Sequence, residues 1–385
     1  MSADLEIVQL GESDFEETVD FLDLAFGFVP PGRNFRTLLP KLYRPDRMKS
    51  NYALRGKNGI RAVVGVIPMT LLVGDTALPL AGIGGVSTHP DDRGQGHMRR
   101  LMTHAVAEIR RGGFALSYLG GQRQRYRHFG YEKCGTGNTF VFNPRNFKAP
   151  PAGDETLHFV TAQELSQEDV REIRILHDAQ PIHVARAADE FVEICESWYN
   201  QLVAARDESG HLAGYIIANA DGTEIFECVL RSPGYSLAVI LRWLKERKSE
   251  SVTIQVPSMD LNLIRAMAAE AEETRLSGSG QWQVFDWPAV TEALLKVRRH
   301  DPALQDGAVR LGIQGAGVLN LTVDGKRSGC STTDEAPDLT CSQAEALRLL
   351  FGPLSPAAVK PLGEHAPCLD SWCPLPLFMR SPDAV

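Results

Sequence analysis

Two glycines and several charged side chains stand directly before a predicted helix, in the stretch DDRGQGHMRRLM at residues 91–102. The first turn of a helix has N–H groups without intrahelical partners, and the helix dipole makes that end positive. Gly94 and Gly96 allow the backbone to come close to a ligand because they carry no Cβ. Arg93 and Arg99 add positive charge, so the pattern predicts a site for a phosphate or pyrophosphate group.

Two common phosphate-binding patterns are absent from the chain. It has no GxxxxGK[ST] sequence, and GIGGVS does not match GxGxxG because Ser87 stands where the last glycine should be. From the residues alone, a surface turn that binds no ligand remains an alternative for residues 91–102.

The elements around this stretch must position it. Strands are predicted for DLEIVQL, NYALRG, IRAVVGVIPMTLLV and TALPLAGIGGVSTH, and a helix for ESDFEETVDFLDLAF. The last of these strands leads directly into the glycine-containing loop. Apolar residues then recur at helical spacing from Met98 to Ile109, and Gly112 marks the end of that helix. FALSYL and NTFVFN are predicted strands, separated by a short helix over RQRYRHFG.

A second segment repeats this order of elements. Residues 143–155 have the prolines and polar residues of a linker. Beyond them, a helix is predicted over EFVEICESWYNQLVAA, followed by a hairpin at Asp221-Gly222, the helix YSLAVILRWLKER and the strand SVTIQV. The strand-to-helix loop here is only RSPG, in which Pro233 lacks an N–H, so no second anion site is predicted.

The third segment runs from about residue 294 to the end. GAVRLGIQGAGVLNLTVDGK is typical of antiparallel strands with glycine turns. SQAEALRLLFG is predicted as a helix that begins with a capping box of Ser342 and Glu345. The tail CPLPLFMRSPDAV is rich in proline, which favours one path for the chain end.

Composition excludes several classes of protein. With 43% apolar and 23% charged residues in 385, the chain has the composition of a soluble globular protein of two or three domains. A net charge of −8 argues against a nucleic-acid partner, and no apolar run approaches the roughly 20 residues that span a membrane. The seven cysteines form no CxxC pair, and the start MSADLEIVQL lacks the bases of a signal peptide. We therefore expect a cytoplasmic protein without a metal site.

The order strand, DDRGQGHM loop, amphipathic helix, strand FALSYL and then RYRHFGYEKCG resembles the GNAT acetyltransferase superfamily. The resemblance implies that acetyl-CoA is a substrate. Its pantetheine arm would pair with the strand backbone, and its pyrophosphate would lie in the loop. The implied acetyl-CoA-binding residues are Val86, Ser87, Thr88, Arg93, Gly94, Gln95, Gly96, His97, Met98, Arg99, Gly121 and Gln122.

Over its whole length the chain resembles the enhanced-intracellular-survival (Eis-like) acetyltransferases. This resemblance implies an α+β fold of tandem GNAT domains, each a mixed central sheet flanked by helices, followed by an α+β domain like sterol carrier proteins. The expected domains are residues 1–150, which are catalytic, residues 151–293, a degenerate second GNAT domain, and residues 294–385, whose tail enters the active site. A homo-oligomer, a trimer or hexamer, is also implied.

Acetyl transfer to an amine needs a proton donor for the departing thiolate and an acceptor for the amine proton. The resemblance assigns the donor to Tyr126 in RYRHFGY. No carboxylate occurs in LAGIGGVSTH or FALSYLGG, and in Eis-like proteins the chain's own terminal carboxylate enters the active site, which suggests Val385. Relatives usually end in an aromatic residue, so Asp383 or an ordered water remains an alternative.

The function expected from these features is acetyl-CoA-dependent N-acetylation by direct transfer. The acceptor would be a primary amine on a cationic small molecule or a lysine side chain, which the acidic net charge favours. Two alternatives remain. One is a lipid- or acyl-CoA-binding protein with a relic GNAT domain, and the other is a transferase of a longer acyl group.

Overall fold

The computed structural model describes residues 5–29, 32–148, 151, 153, 155–299, 304–325, 327–363 and 367–385. These residues form mixed sheets flanked by helices, so the predicted α+β fold class is confirmed. The predicted linker at 143–155 is only partly covered, since residues 149, 150, 152 and 154 lie outside the described residues.

The first stretch, residues 5–148, contains the loop predicted to bind phosphate. Its strands are β1 (Glu6–Gln9), β2 (Asn51–Gly56), β3 (Gly59–Val73), β4 (Thr76–Thr88), β5 (Leu116–Leu119), β6 (Glu132–Cys134) and β7 (Gly137–Phe142). Its helices are α1 (Phe15–Phe26), α2 (Phe35–Leu38), α3 (His97–Arg111) and α4 (Arg123–Tyr126). The glycine-containing loop therefore joins the end of β4 to the start of α3, as the sequence predicts.

The second stretch runs from residue 155 to 299. Its strands are β8 (His158–Thr161), β9 (Ile182–Val184), β10 (Gln201–Arg206), β11 (Leu212–Ala218), β12 (Glu224–Leu230), β13 (Val252–Pro257), β14 (Glu273–Ser277) and β15 (Gly280–Val284). Its helices are α5 (Gln167–Asp178), α6 (Phe191–Cys195), α7 (Ser236–Arg247), α8 (Leu261–Ala268) and α9 (Trp287–Arg298).

One predicted helix of this stretch is wrong over most of its length. The sequence predicted a helix across residues 190–205, but α6 ends at Cys195 and β10 begins at Gln201. Trp198 and Tyr199 have φ values of 66° and 59°, in the left-handed region that interrupts a right-handed helix. Apolar residues of this segment therefore alternate across a strand instead of lining one face of a helix.

The third stretch covers the described residues from 304 to 385. Its strands are β16 (Gly307–Ile313), β17 (Gly317–Asp324), β18 (Arg327–Thr333) and β19 (Leu339–Cys341). Its helices are α10 (Gln343–Phe351), α11 (Pro356–Val359) and α12 (Cys368–Trp372). The predicted capping box at the start of α10 is present, since the side chains of Ser342 and Glu345 each accept from the other's backbone N–H.

The strands form three sheets, and three strands, β7, β9 and β15, join the sheet of the other stretch. The first sheet has the order β1-β2-β3-β4-β5-β15-β6, with β9 paired to β3. The second has the order β14-β7-β13-β12-β11-β10-β8, and the third has the order β18-β17-β16-β19. β7 thus leaves the first stretch for the second sheet, while β15 inserts between β5 and β6 of the first. The domain boundaries at 150 and 293 remain predictions, and neither sheet is complete without the other stretch.

Helices cover both faces of the first sheet. α3 buries Leu101 in a cluster that also contains Ile83 of β4. α1 and α2 contribute Leu22 and Phe35 to a separate cluster. Burial of these apolar side chains stabilises the sheet by roughly 1.5–3 kcal/mol for each side chain.

The last residues of the chain are anchored by a buried ion cluster. Arg186, whose side chain is fully buried, donates from Nε and Nη2 to the carboxylate oxygens of Asp383 at 2.8 and 2.9 Å. The same guanidinium donates to Glu227 of β12 at 2.7 Å. Burial raises the pKa of Glu227, but Arg186 and Arg380 lower it more, so the net shift is downward. Glu227 is therefore held as an anion against the arginine that also binds Asp383.

Two further hydrogen bonds fix the tail on either side of this ion cluster. Lys41 Nζ donates to the carbonyl oxygen of Pro382, and Trp198 Nε1 donates to the carbonyl oxygen of Ala384 at 3.2 Å. Burial lowers the pKa of Lys41 to about 8, although the charge of Asp383 opposes this shift. The tail is thus bound by the first and second stretches together.

Replacing Arg186 with methionine should destabilise the protein strongly, because it leaves two buried carboxylates without their shared cation. We expect the free energy of unfolding to fall by about 3–5 kcal/mol, measured by urea denaturation. Arg171→Met on α5 is the matched control, since that side chain is 58% exposed and should change stability by no more than about 0.5 kcal/mol. Equal denaturation midpoints for the two variants would contradict the structural importance of the ion cluster.

Candidate active site

The edge of β4 becomes free near its end. β4 and β5 pair in parallel from Leu80 opposite Leu116 to Ile83 opposite Leu119, where β5 ends. β4 continues to Thr88, and within the described residues no strand pairs with it on that side beyond Ile83. Unpaired backbone N–H and C=O groups can bind an extended ligand as an added strand would. Val86, Ser87 and Thr88 of the predicted site lie on this edge and are half-buried.

A bulge bends β4 at the same place. The register with β3 shifts between Val63 and Gly65, opposite Gly85. Gly85 has φ of 58°, and a Cβ there would lie 2.5 Å from the hydroxyl of Tyr43. Only glycine satisfies both the conformation and the close approach. Such bulges redirect a strand and increase its local twist, and here the bulge coincides with the opening between β4 and β5.

The loop after β4 has the features of an anion-binding turn. Gly94 and Gly96 have φ values of 84° and 82°, and a Cβ at either position would contact nothing within 4 Å. α3 begins at His97 with no side-chain cap and no acid in its first turn. Its first N–H groups therefore have no capping side chain, and a phosphate could accept hydrogen bonds from them.

The charged side chains of this loop are partly engaged with the protein. Arg93 donates from Nη2 to the carbonyl oxygen of Ala25 at 3.1 Å, near the end of α1. Arg61 forms an ion pair with Asp92 and lowers the pKa of that carboxyl. Arg99 is exposed and has no side-chain partner among the described residues, so it is the freer of the two predicted cations.

Tyr126 ends α4 and lies close to the opening. Its side chain is buried, packs in the cluster that contains Ile83 and Leu119, and has no hydrogen-bond partner for its hydroxyl among the described residues. Burial raises the pKa of Tyr126, so the phenol stays protonated at neutral pH. Gly121 has φ of 104°, and a Cβ there would lie 3.0 Å from the Tyr126 ring. The predicted residues Gly121 and Gln122 are exposed and directly precede α4.

The end of the chain lies on the opposite face of β4 from Tyr126. A Cβ at Gly82 would lie 2.5 Å from Val385 Cγ2, and a Cβ at Gly84 would lie 2.9 Å from the Val385 carboxyl carbon. Side chains alternate along a strand, so Gly82 and Gly84 face one way and Ile83 the other. Val385 packs with the α1–α2 cluster, whereas Tyr126 packs with the α3 cluster. The two residues flank the same point of β4, and no contact between them occurs among the described residues.

Asp383, the alternative proton acceptor, is not placed for that role. It is 2% exposed, and both of its carboxylate oxygens accept from Arg186. Both oxygens are thus engaged by a buried guanidinium and are not free to contact a substrate amine. Asp383 therefore anchors the tail, two residues before the terminus.

Sequence reasoning missed several residues that build this site. Gly82 and Gly84, two apart on one strand face, leave the space that the chain end occupies. Alternating glycine in a strand is the signal that could have indicated a close backbone approach. Arg186 and Lys41 gave no such signal, because their partners in the tail are more than 190 residues away along the chain.

The second stretch lacks a comparable loop. Between β12 and α7, the Ser232 side chain accepts from the N–H of Gly234, and Ser236 Oγ donates to the Pro233 carbonyl oxygen. The loop groups thus bind one another. β12 pairs in parallel with β13 only at Glu224 and Ile225.

One group of possible metal ligands occurs among the described residues. It contains His177, Asp178 and His183. His177 Nδ1 lies 3.0 Å from Asp178 Oδ1, and His183 Nδ1 lies 2.7 Å from the Gln180 carbonyl oxygen. Burial, followed by the charge of Arg186, lowers the pKa of His177 to about 4, so its ring is neutral at pH 7. Across the residues that the structure covers, no helix has the length and apolarity to cross a membrane.

Comparisons with known proteins agree with the GNAT resemblance of the first stretch. Residues 6–134 match the family described as acetyltransferase (GNAT) domain. A search of curated protein sequences finds no match.

Solved structures match the chain end to end. A GCN5-related N-acetyltransferase from Kribbella flavida has a TM-score of 0.70 at 19% identity, covering 100% of this chain and 99% of its own. One from Anabaena variabilis has a TM-score of 0.70 at 15% identity, covering 97% and 99%. Eis1 from Mycobacterium abscessus has a TM-score of 0.63 at 16% identity, also covering 97% and 99%. The chain therefore shares its fold with these structures, and its residues 6–134 form a GNAT acetyltransferase domain.

Proposed function

We propose that this protein transfers an acetyl group from acetyl-CoA directly to a primary amine. The observation that supports the proposal most is the position of the chain end. Val385 lies against Gly82 and Gly84, at the point where β4 and β5 separate. A carboxylate is thereby placed beside a free strand edge that has no acid of its own.

Acetyl-CoA would bind along the free edge and the following loop. Its pantetheine arm would pair with the backbone of Val86, Ser87 and Thr88. Its pyrophosphate would accept hydrogen bonds from the backbone N–H groups of residues 93–98, in the loop and at the start of α3. Arg99 adds charge there, and Gly121 and Gln122 border the thioester side. The relic-domain alternative is disfavoured, because the open N-terminus of α3 is retained.

The reaction needs two proton movements. The nitrogen of the neutral amine attacks the thioester carbonyl carbon, and a free β4 N–H can polarise that carbonyl oxygen. As the C–N bond forms, the nitrogen proton becomes acidic and passes to the Val385 carboxylate, directly or through a water. The C–S bond then breaks, and the departing thiolate takes the proton of Tyr126 Oη. The carboxylate's proton restores the phenol through solvent.

The two faces of β4 separate these roles. The acid, Tyr126, belongs to the α3 side, and the base, Val385, to the α1–α2 side. The amine would then approach from the side of the chain end. A cationic amine is attracted by the terminal carboxylate and by the net charge of −8. The cytoplasmic location and the homo-oligomer, trimer or hexamer, remain predictions.

Replacing Gly96 with aspartate should weaken CoA binding by tenfold or more, about 1.4 kcal/mol, because a carboxylate would face the pyrophosphate. Isothermal titration of CoA measures this change. Gly210→Asp is the matched control, since Gly210 has φ of 80°, against 82° for Gly96, and both would place a Cβ in open space. Equal affinity in the two variants would exclude the loop as the pyrophosphate site.

Replacing Tyr126 with phenylalanine removes only the hydroxyl and keeps the ring packing. We expect kcat to fall by roughly 10² while the KM for acetyl-CoA stays within a small factor, because the donor acts on the leaving thiolate. Steady-state kinetics measure both values. Tyr52→Phe on β2, whose ring packs against His104, is the control and should retain the wild-type kcat. An unchanged kcat for Tyr126→Phe would assign the acid to water or another group.

Moving the terminal carboxylate by one residue should abolish most activity. Deleting Val385, or adding one glycine after it, keeps the Asp383–Arg186 anchor but displaces the charge by about 3.5 Å. We expect kcat to fall by roughly 10² with CoA affinity and thermal stability unchanged. Val385→Ala is the control, since it keeps the carboxylate in place and should retain most of kcat. Full activity in both displaced variants would leave an ordered water as the base.

A further inference from the structure

A cavity of about 1130 Å³ lies where parts of all three stretches meet. Its walls come from the β3–β4 hairpin turn at Gly74 and Asp75, the start of α8, the end of α9 and the start of β18. The cavity is at the opposite end of β4 from the candidate active site. Thr76 to Gly84 spans about 26 Å at ~3.3 Å per residue, so the two sites are separate.

The charges around this cavity are unusual for an acidic protein. Among the described residues that line it, cationic side chains outnumber acidic ones by five to three, in a chain with a net charge of −8. The cations are Arg265, Lys296, Arg298, Arg299 and Arg327, and the acids are Asp75, Asp260 and Glu292. The arginines come from α8, from the end of α9 and from β18, so distant parts of the chain bring positive charge to one place.

Two of the acids are already engaged. Glu292 forms an ion pair with Lys296 at 2.7 Å within α9. Asp260 caps α8 by accepting the N–H of Leu263 at 3.1 Å. The four arginines, by contrast, form no ion pair with any carboxylate in the part of the chain that the structure covers. Their positive charge is thus available to a ligand.

Two buried polar atoms at the cavity also have no hydrogen-bond partner among the described residues. They are Nε of Arg298 and Oγ of Ser328. Buried polar groups in folded proteins are nearly always paired, so each such atom indicates a missing partner. Both atoms are covered by the surrounding protein, so a ligand in the cavity would contact the exposed guanidinium groups of Arg265 and Arg327 instead.

We propose that this cavity binds a phosphorylated small molecule carrying at least two negative charges. Guanidinium groups bind phosphate through two parallel hydrogen bonds, which explains why arginine is the main cation here. The volume exceeds what a phosphate group alone needs, and Met259, Leu261 and Pro376 provide apolar walls for an organic part. The proposal does not rest on acetyl transfer, because none of these residues belongs to the acetyl-CoA site.

Isothermal titration with inorganic pyrophosphate tests the proposal on the full chain. CoA is present at saturation, so that its own loop is occupied. We expect pyrophosphate to bind, and Arg265→Gln and Arg327→Gln each to weaken its affinity by about tenfold. Arg171→Gln on α5 is the control and should bind as the wild type does. Gly96→Asp should also leave this affinity unchanged, which separates a failure here from a failure of the acetyl-CoA site.

Three outcomes would overturn the proposal. The first is the absence of a binding heat, and the second is equal affinity in the cavity variants and the control. The third is tighter binding of citrate than of pyrophosphate, which would indicate a polycarboxylate ligand. Sedimentation of the same variants adds a further criterion. If Arg265→Gln or Arg327→Gln dissociates an oligomer while pyrophosphate binds to neither form, the arginines contact a second copy of the chain instead.

Discussion

The buried ion pair between Arg186 and Asp383 determines the position of the C-terminus in the folded protein. Asp383 is two residues from the terminus, so fixing its carboxylate leaves Ala384 and Val385 little freedom. The cost of burying these charges is offset by the two parallel hydrogen bonds and by the shared contact with Glu227. Because the guanidinium also joins the second sheet, the position of the terminus depends on how the stretches pack together. The carboxylate that lies against β4 of the first sheet is thus positioned by Arg186 and Glu227 of the second stretch.

The strand exchange between the first two sheets has a similar effect. β15 fills the position beside β5 that would otherwise be an open edge, and its Trp282 packs against Tyr118 at 5.0 Å between ring centroids. β5 is therefore held on one side by β15 and on the other by β4, but only as far as Leu119. Beyond that point β4 continues with β3 on one edge and no strand on the other among the described residues, and the bulge lies at Gly85. The free edge results from this difference in strand length.

The local parts of this structure could be predicted from the sequence, and the parts that join distant segments could not. The strand, loop and helix around Gly94 and Gly96 follow from turn and helix-start residues, which act over a few positions. Trp198 and Tyr199 show the limit, since their left-handed conformation converts a helical pattern into the start of β10. The exchange of β7 and β15 depends on pairing across more than 100 residues.

In the candidate site, too, some residues could be predicted from the sequence, whereas their contacts with distant segments could not. The terminal carboxylate and Tyr126 were predicted from a family resemblance, and their assignment to opposite faces of β4 required coordinates. The role of Gly82 could not be recognised without its neighbour from the chain end. Asp383 looked like an available carboxylate in the sequence. Its engagement depends on Arg186, almost 200 residues away.

The central claim is that the terminal carboxylate and the Tyr126 hydroxyl flank the thioester from opposite faces of β4. A crystal structure with bound CoA tests this claim most directly. It should show the pantetheine arm paired with Val86 to Thr88, and the sulfur within hydrogen-bond reach of Tyr126 Oη. The Val385 carboxylate should be within one water of the space next to the sulfur. CoA bound away from the β4–β5 opening, or a chain end displaced into solvent, would contradict the account.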